Sequence, residues 1–315
     1  MVLPSYCWHL LFHKNQPVSH VKSKLHLLKF WSIKCIIYVA VTERVIDMYK
    51  RDGHIHTPYC PHGTKDGLKE YIQRAIDLGF TEITFTEHAP LPKGFEDAAP
   101  TKDSSMTMEQ LPSYVDKVLE VKEQFRGELK INLGLEIDYI EGFEDGTREF
   151  LHEWGKFLDD SLLSVHFLKN PLGNYDCLDY SPEIFAEMIQ TYGHVDRIYE
   201  CYFKTLSKSI SADLGAFKPK RIGHMTLVQK FQKQFPAGQD FSFTINEILG
   251  QVKQYDLELD YNAAGLFKPL CEETYPPQWA IKEAMNLQIP LVYGSDAHQA
   301  KDLGQGRHLL LTRNS

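Results

Sequence analysis

The stretch MYKRDGHIHT, residues 48–57, decides how this chain of 315 residues is read. Residues 49–54 read as a short strand that ends on His54-Ile55-His56. Alternate side chains of a strand project to the same side, so these two imidazoles can reach one ion. Working outward, further donors arrive in separate packets: His62, His88, Glu136, His166, His224, then Asp296 with His298. Seven imidazoles and two carboxylates dealt out in this way suit a multinuclear metal site that only folding assembles.

Strand-like and helix-like stretches alternate from Met48 onward. Residues 49–54, 82–86, 130–137, 161–167, 221–225, 257–261 and 290–294 are short and rich in β-branched or aromatic residues, which predicts seven strands. Between them, residues 66–78 carry Leu68, Tyr71, Ile72, Ala75 and Ile76 at helical spacing, and residues 108–125 carry Leu111, Val115, Val118, Leu119 and Val121. Gly79 falls near the first helix's expected C-terminal cap and Pro277 near the start of the last helix. Regular alternation implies a parallel sheet with crossover helices, closed as a barrel or wound on both faces. The donor packets then fall at or just beyond the C-terminal ends of the strands, which in a parallel barrel open onto one face.

Each packet also has a plain structural reading. A single His-x-His is weak evidence, and His166 or His224 alone reads as a hydrogen-bonded core histidine. Glu136, inside the apolar run LGLEI, is more telling, because a carboxylate there is expensive unless cations or metal surround it. The coincidence of all packets with strand ends carries the metal reading.

Composition limits the alternatives. One catalytic domain is expected at this length, and a formal net charge of −8 disfavours a general nucleic-acid surface. Six cysteines, Cys7, Cys35, Cys60, Cys177, Cys201 and Cys271, show no Cys-x-x-Cys pair and read as free thiols of a reducing cytosol. Residues 1–47 differ from the rest: six basic residues against Glu43 and Asp47 give them +4 and leave −12 on the remainder. Their two apolar patches are far short of the roughly 20 residues that span a bilayer, so no membrane role is expected. This segment is expected to be a dispensable extension, disordered or wrongly assigned, before a catalytic domain at 48–315. Its histidines show no short ligand spacing.

The packets resemble, in order, the successive motifs of the PHP (polymerase and histidinol phosphatase) superfamily: RDGHIHT (51–57), TEH (86–88), GLEID (134–138), SVH (164–166), IGH (222–224) and GSDAH (294–298). The contexts DGHIHTPYCPHGT (52–64), FTEHAPLP (85–92) and DAHQAKDLGQG (296–306) look specifically like the monofunctional histidinol-phosphate phosphatases. The resemblance covers residues 48 to about 306. It implies a distorted seven-stranded (β/α) barrel and a cluster of three zinc, manganese or iron ions on His54, His56, His62, His88, Glu136, His166, His224, Asp296 and His298. His62 enters only through the resemblance; spacing alone makes it a loop residue.

The activity so implied is hydrolysis of a small phosphate monoester, L-histidinol phosphate, in histidine biosynthesis, by a hydroxide bridged between metals. A PHP phosphoesterase acting on nucleotides, oligonucleotides or protein phosphotyrosine is the alternative. Asp296 or His298 could protonate the leaving oxygen, with Glu87 a further candidate. For the phosphate, Arg197 is the first choice, since a guanidinium grips phosphate bidentately, and Arg221 and Lys169 follow. Tyr59 and Phe95 are candidates to stack on an imidazole.

Overall fold

The computed structural model describes residues 50–312; the expectations for residues 1–47 and for a strand start at Tyr49 lie outside them. Seven parallel strands pair in chain order: β1 (Arg51–Ile55), β2 (Glu82–His88), β3 (Lys130–Asp138), β4 (Leu162–Ser164), β7 (Arg221–Ile222), β8 (Glu258–Asn262) and β9 (Leu291–Gly294). The first and last strands meet where Asp296 N donates to His54 O (2.8 Å) and His56 N to Ala297 O (3.0 Å), closing the sheet into a barrel. Helices α1 (Leu68–Asp77), α2 (Leu111–Gln124), α3 (Glu144–Trp154), α4 (Pro182–Tyr192), α5 (Val195–Ser211), α6 (Ser242–Gln254) and α7 (Gln278–Asn286) make the crossovers, and α8 (Arg307–Thr312) follows.

Local chemistry explains these boundaries. Helix α1 buries Leu68, Tyr71, Ile72 and Ala75, the face its spacing predicts, and full burial of Ile72 alone is worth ~1.5–3 kcal/mol. It stops where Gly79 turns left-handed (φ +73°) and donates to Ile76 O. Pro277 caps α7 at its N-terminus.

Two features differ from the sequence reading. The predicted strand 161–167 ends at Ser164, and Phe167–Lys169 (β5) instead pairs antiparallel with Tyr175–Cys177 (β6) in a separate hairpin. Asn170-Pro171 starts that turn, where Gly173 N donates to Asn170 O (2.9 Å). Strand β7 is also shorter than predicted, ending at Ile222.

The opposite end of the barrel is plugged by charge. Arg221, fully buried, donates to Gly53 O (2.9 Å) and Asp160 Oδ2 (2.5 Å), and Arg51 reaches the same carboxylate. Arg221 therefore does not serve phosphate; it begins β7 and faces the end away from the histidines. Breaking such a buried pair by removing one partner costs about 3–5 kcal/mol.

Candidate metal centre

The donors converge at the C-terminal mouth of the barrel. His54 lies within β1, His88 ends β2, Glu136 sits in β3, and His166, His224, Asp296 and His298 follow β4, β7 and β9. Glu136 Oε2 stands 3.4 Å from His54 Nε2, 3.5 Å from His56 Nε2 and 3.2 Å from His88 Nδ1. None of these four buried atoms has a hydrogen-bond partner among the described residues. Asp296 Oδ1 is 3.2 Å from His56 Nε2 and 3.7 Å from His54 Nε2. On the other side, Glu136 Oε1 meets His224 Nε2 at 2.9 Å and His166 Nε2 at 3.8 Å.

This arrangement fits divalent metal. Unpaired lone pairs crowded into a dry interior are costly unless a cation shares them. Two donors bonded to one tetrahedral ion at about 2.1 Å lie about 3.4 Å apart, close to the spacings around Glu136 Oε2. Three groups of donors each gather within 4.8 Å: His54, His56 and Asp296; Glu136, His166 and His224; His56, Cys60, His88 and His298. Glu136 offers one oxygen toward the first and one toward the second.

Outer partners fix the rings. His54 Nδ1 donates to Asp260 Oδ2 (2.8 Å), His166 Nδ1 to Asp138 Oδ1 (2.8 Å) and His56 Nδ1 to Glu87 Oε1 (3.3 Å). Each bond selects the tautomer that leaves Nε2 bare toward the centre. Glu87 is therefore not the proton donor considered from sequence: its other oxygen accepts from Thr57 N (2.8 Å) and Thr57 Oγ1, so it is spent orienting His56. Asp138 and Asp260 were passed over, although each carries the signal that marked Glu136, a carboxylate buried in an apolar strand.

Charge is balanced within the cluster. Burial disfavours the Glu136 and Asp296 carboxylates, but His54 and its neighbours hold both well below the usual range. Burial, reinforced by His56, keeps His88 and His298 well below the ordinary imidazole value, hence neutral. His56 and His166 go the other way, to about 9 and about 10: burial opposes their charge, but the carboxylates of Asp296 and Glu87 beside it hold His56 up and the Asp138 charge holds His166 up.

Asp296 adopts a left-handed backbone (φ 52°), uncommon for a residue with a side chain, and its Oδ2 accepts from Asn262 Nδ2 at 3.1 Å. His62 is exposed and its Nδ1 faces Asp103 O (3.1 Å). Its ring lies 5.1 Å from those of His88 and His298, yet it adds no atom to the three groups.

Above the cluster opens a cavity of ≈ 520 Å³, lined among others by Asp179, Tyr180, Lys230, Phe267 and Lys268. The sequence-predicted cations do not line it. Arg197, 70% exposed, turns outward on α5 and pairs with Glu200 (3.3 Å), because Ile198, Tyr199 and Tyr202 take the buried face. Lys169 is exposed on the hairpin against the Tyr175 ring. Lys230, missed from sequence, is held over the mouth by Asp179 Oδ2 (2.8 Å) and Asp179 O (2.6 Å). Its place six residues after His224, in the 3-10 turn Leu227–Phe231 that follows β7, was the available signal. Tyr59 bonds Ser113 and Phe95 packs in a satellite apolar cluster with Phe143, Phe167 and Tyr175, so neither lines the cavity.

Known proteins share this construction. The PHP domain family model matches residues 52–264. Histidinol-phosphatase of Bacillus subtilis is 47% identical over 268 residues, 84% of this chain and 100% of that protein. A Deinococcus radiodurans relative assigned the same activity is 34% identical, covering 80% of this chain and 88% of its own. A crystal structure from Listeria monocytogenes, assigned as a histidinol phosphatase, superposes with a TM-score of 0.77 at 44% identity over 82% of this chain and 99% of that one. Histidinol phosphate phosphatase of Lactococcus lactis, crystallised with zinc, L-histidinol and phosphate, shares the fold at 19% identity, with a TM-score of 0.59 over 84% of this chain and 93% of that one. With the barrel, the strand-end donors and the matched motifs in agreement, this chain belongs to the PHP domain family.

Proposed function

We propose that the chain is a metal-dependent histidinol-phosphatase that hydrolyses L-histidinol phosphate to L-histidinol and phosphate. One observation carries the reading: bare, buried donors of His54, His56, His88 and Glu136 converge beneath a cavity sized for a small phosphate ester. Identity of 47% to the Bacillus subtilis enzyme across that protein's full length supports the substrate. No observation favours a nucleotide or phosphotyrosine substrate.

His54, His56, His88, Glu136, His166, His224, Asp296 and His298 would hold the ions, and a cluster of up to three, with zinc foremost, is supported by three donor groups that overlap at His56. Bound divalent ions supply Lewis acidity toward phosphoryl oxygens and lower the pKa of water toward neutrality. The protein's part is to aim and to exclude. Glu87, Asp138 and Asp260 lock the imidazoles, and Lys230, steadied by Asp179, offers a cation to the phosphate. Asp296 and His298, at the cavity floor, are placed to manage the proton of the leaving oxygen. Phe267 and Tyr180, half-exposed on the cavity wall, are aromatic surfaces available to an imidazole.

The catalytic unit is placed at residues 48–315, with the earlier residues dispensable. A cytoplasmic location agrees with four unpaired cysteines among the described residues, where no helix is long and apolar enough to cross a membrane. Phosphate release from a panel of monoesters by the metal-loaded protein tests the assignment.

A further inference from the structure

We propose that Asn262 is a positioning residue of the metal centre: its side-chain amide steers the Asp296 carboxylate so that a single oxygen, Oδ1, meets the ion shared with His54 and His56. The inference rests on the metal-dependent reading above and deepens it. Asn262 ends β8, is fully buried and does not line the cavity, so it acts through its neighbours and not on the substrate.

The backbone around Asp296 is pinned and leaves one freedom to settle. Asp296 N donates to His54 O (2.8 Å), Ser295 N donates to Asp52 Oδ1 (2.9 Å), and Gln305 Nε2 donates to Ser295 O (2.7 Å). These bonds keep Asp296 at its left-handed φ of 52°, and what remains is rotation of the carboxylate. Asn262 Nδ2 donates to Asp296 Oδ2 (3.1 Å), which leaves Oδ1 toward His56 Nε2 (3.2 Å) and His54 Nε2 (3.7 Å).

The same nitrogen donates to Asp260 Oδ2 (3.1 Å), the oxygen that also accepts from His54 Nδ1 (2.8 Å). One NH2 group thus joins a ligand, Asp296, to the partner of another ligand, His54. Its two hydrogens lie between two buried carboxylates that would otherwise repel. The sense of the amide is fixed: Oδ1 accepts from Ala264 N (2.9 Å), and a flipped amide would set its oxygen against both carboxylates. Asn262 N donates to Tyr275 O (3.0 Å) and Tyr275 N to Asn262 O (2.9 Å), so the backbone that carries the amide is anchored too. A residue that only closed the turn onto Ala264 would need the oxygen alone, and an aspartate would serve as well.

The test compares Asn262→Ala and Asn262→Asp with the wild type by zinc affinity against a chelator, by kcat and KM for L-histidinol phosphate, and by circular dichroism. Asn262→Ala is expected to hold zinc at least about ten-fold more weakly and to lose kcat about a hundred-fold, with KM within about two-fold. Asn262→Asp, which keeps the shape and the acceptor for Ala264 N, should lose kcat to the same extent. Added to Asp296→Ala, Asn262→Ala should weaken zinc binding no more than about two-fold further, because the carboxylate it steers is gone. Wild-type zinc affinity in Asn262→Ala, full turnover in Asn262→Asp, or a further loss of about ten-fold on top of Asp296→Ala overturns the role of Asn262 and leaves the phosphatase reading intact. Weakened zinc binding that Asp296→Ala masks, in a protein that hydrolyses no ester, upholds the role and sinks the phosphatase reading alone.

Discussion

His54 Nδ1 donates to Asp260 Oδ2 at 2.8 Å, and the strand next to this pair carries Gly294, where a Cβ would lie 2.3 Å from Asp260 Oδ1 and 2.8 Å from Cβ of His54. The metal-facing side of His54 is thus set by a carboxylate 206 residues further along the chain and by an absent side chain. Asp260→Asn keeps the shape but removes the charge that holds the ring. Metal affinity should fall about 10–100-fold, as for other partners of metal-ligating histidines, measured by chelator competition with the far-ultraviolet circular dichroism unchanged.

Gly294→Ala places a methyl group where Asp260 and His54 already stand. Overpacking of this kind costs about 1–3 kcal/mol. Denaturant titration of the metal-free variant should show that loss, and turnover should fall with it because the displaced group is a ligand's partner.

The protons on His56 and His166 make metal binding pH-linked. Both sit above the ordinary imidazole value in the absence of metal, at about 9 and about 10, so an ion entering at neutral pH must displace protons. Zinc affinity is expected to rise steadily from pH 6 to 9, with proton release visible as a buffer-dependent heat in titration calorimetry. The stability of the metal-free protein runs the opposite way: because the folded values are raised, the contribution is complete below about 6.5 and is lost as pH climbs through 9 to 10. Thermal unfolding of metal-free protein across that range checks the sign.

Lys230 and Arg197 separate a cation at the mouth from one on the surface. Lys230→Met should lower kcat/KM about ten-fold to a hundred-fold, a charge-assisted hydrogen bond being worth ~1.5–3 kcal/mol. Arg197→Ala, which touches only Glu200 on an exposed helix face, should leave both kinetic constants unchanged.

Much of this was legible before the fold was seen. Strands β2 (EITFTEH) and β9 (LVYG) are rich in β-branched and aromatic residues and end on or just before a donor, and His54 and Glu136 fall in the last residues of β1 and β3, so His54, His88, Glu136 and Asp296 fall into place from spacing alone. The hairpin Phe167–Cys177 was hidden because its first strand reads as a continuation of β4, and only the bend after Ser164 separates them. Arg197 misled because sequence gives a helix its apolar stripe but not the distance from that stripe to the barrel mouth.

The most direct test of the central claim is phosphate release by the zinc-loaded protein from L-histidinol phosphate, set against p-nitrophenyl phosphate and thymidine monophosphate, with the His88→Ala variant alongside. The account predicts turnover of L-histidinol phosphate much faster than of the other two esters, abolished in the variant while its barrel stays folded. Equal rates across all three esters, or near wild-type turnover by a metal-loaded His88→Ala protein, would contradict it.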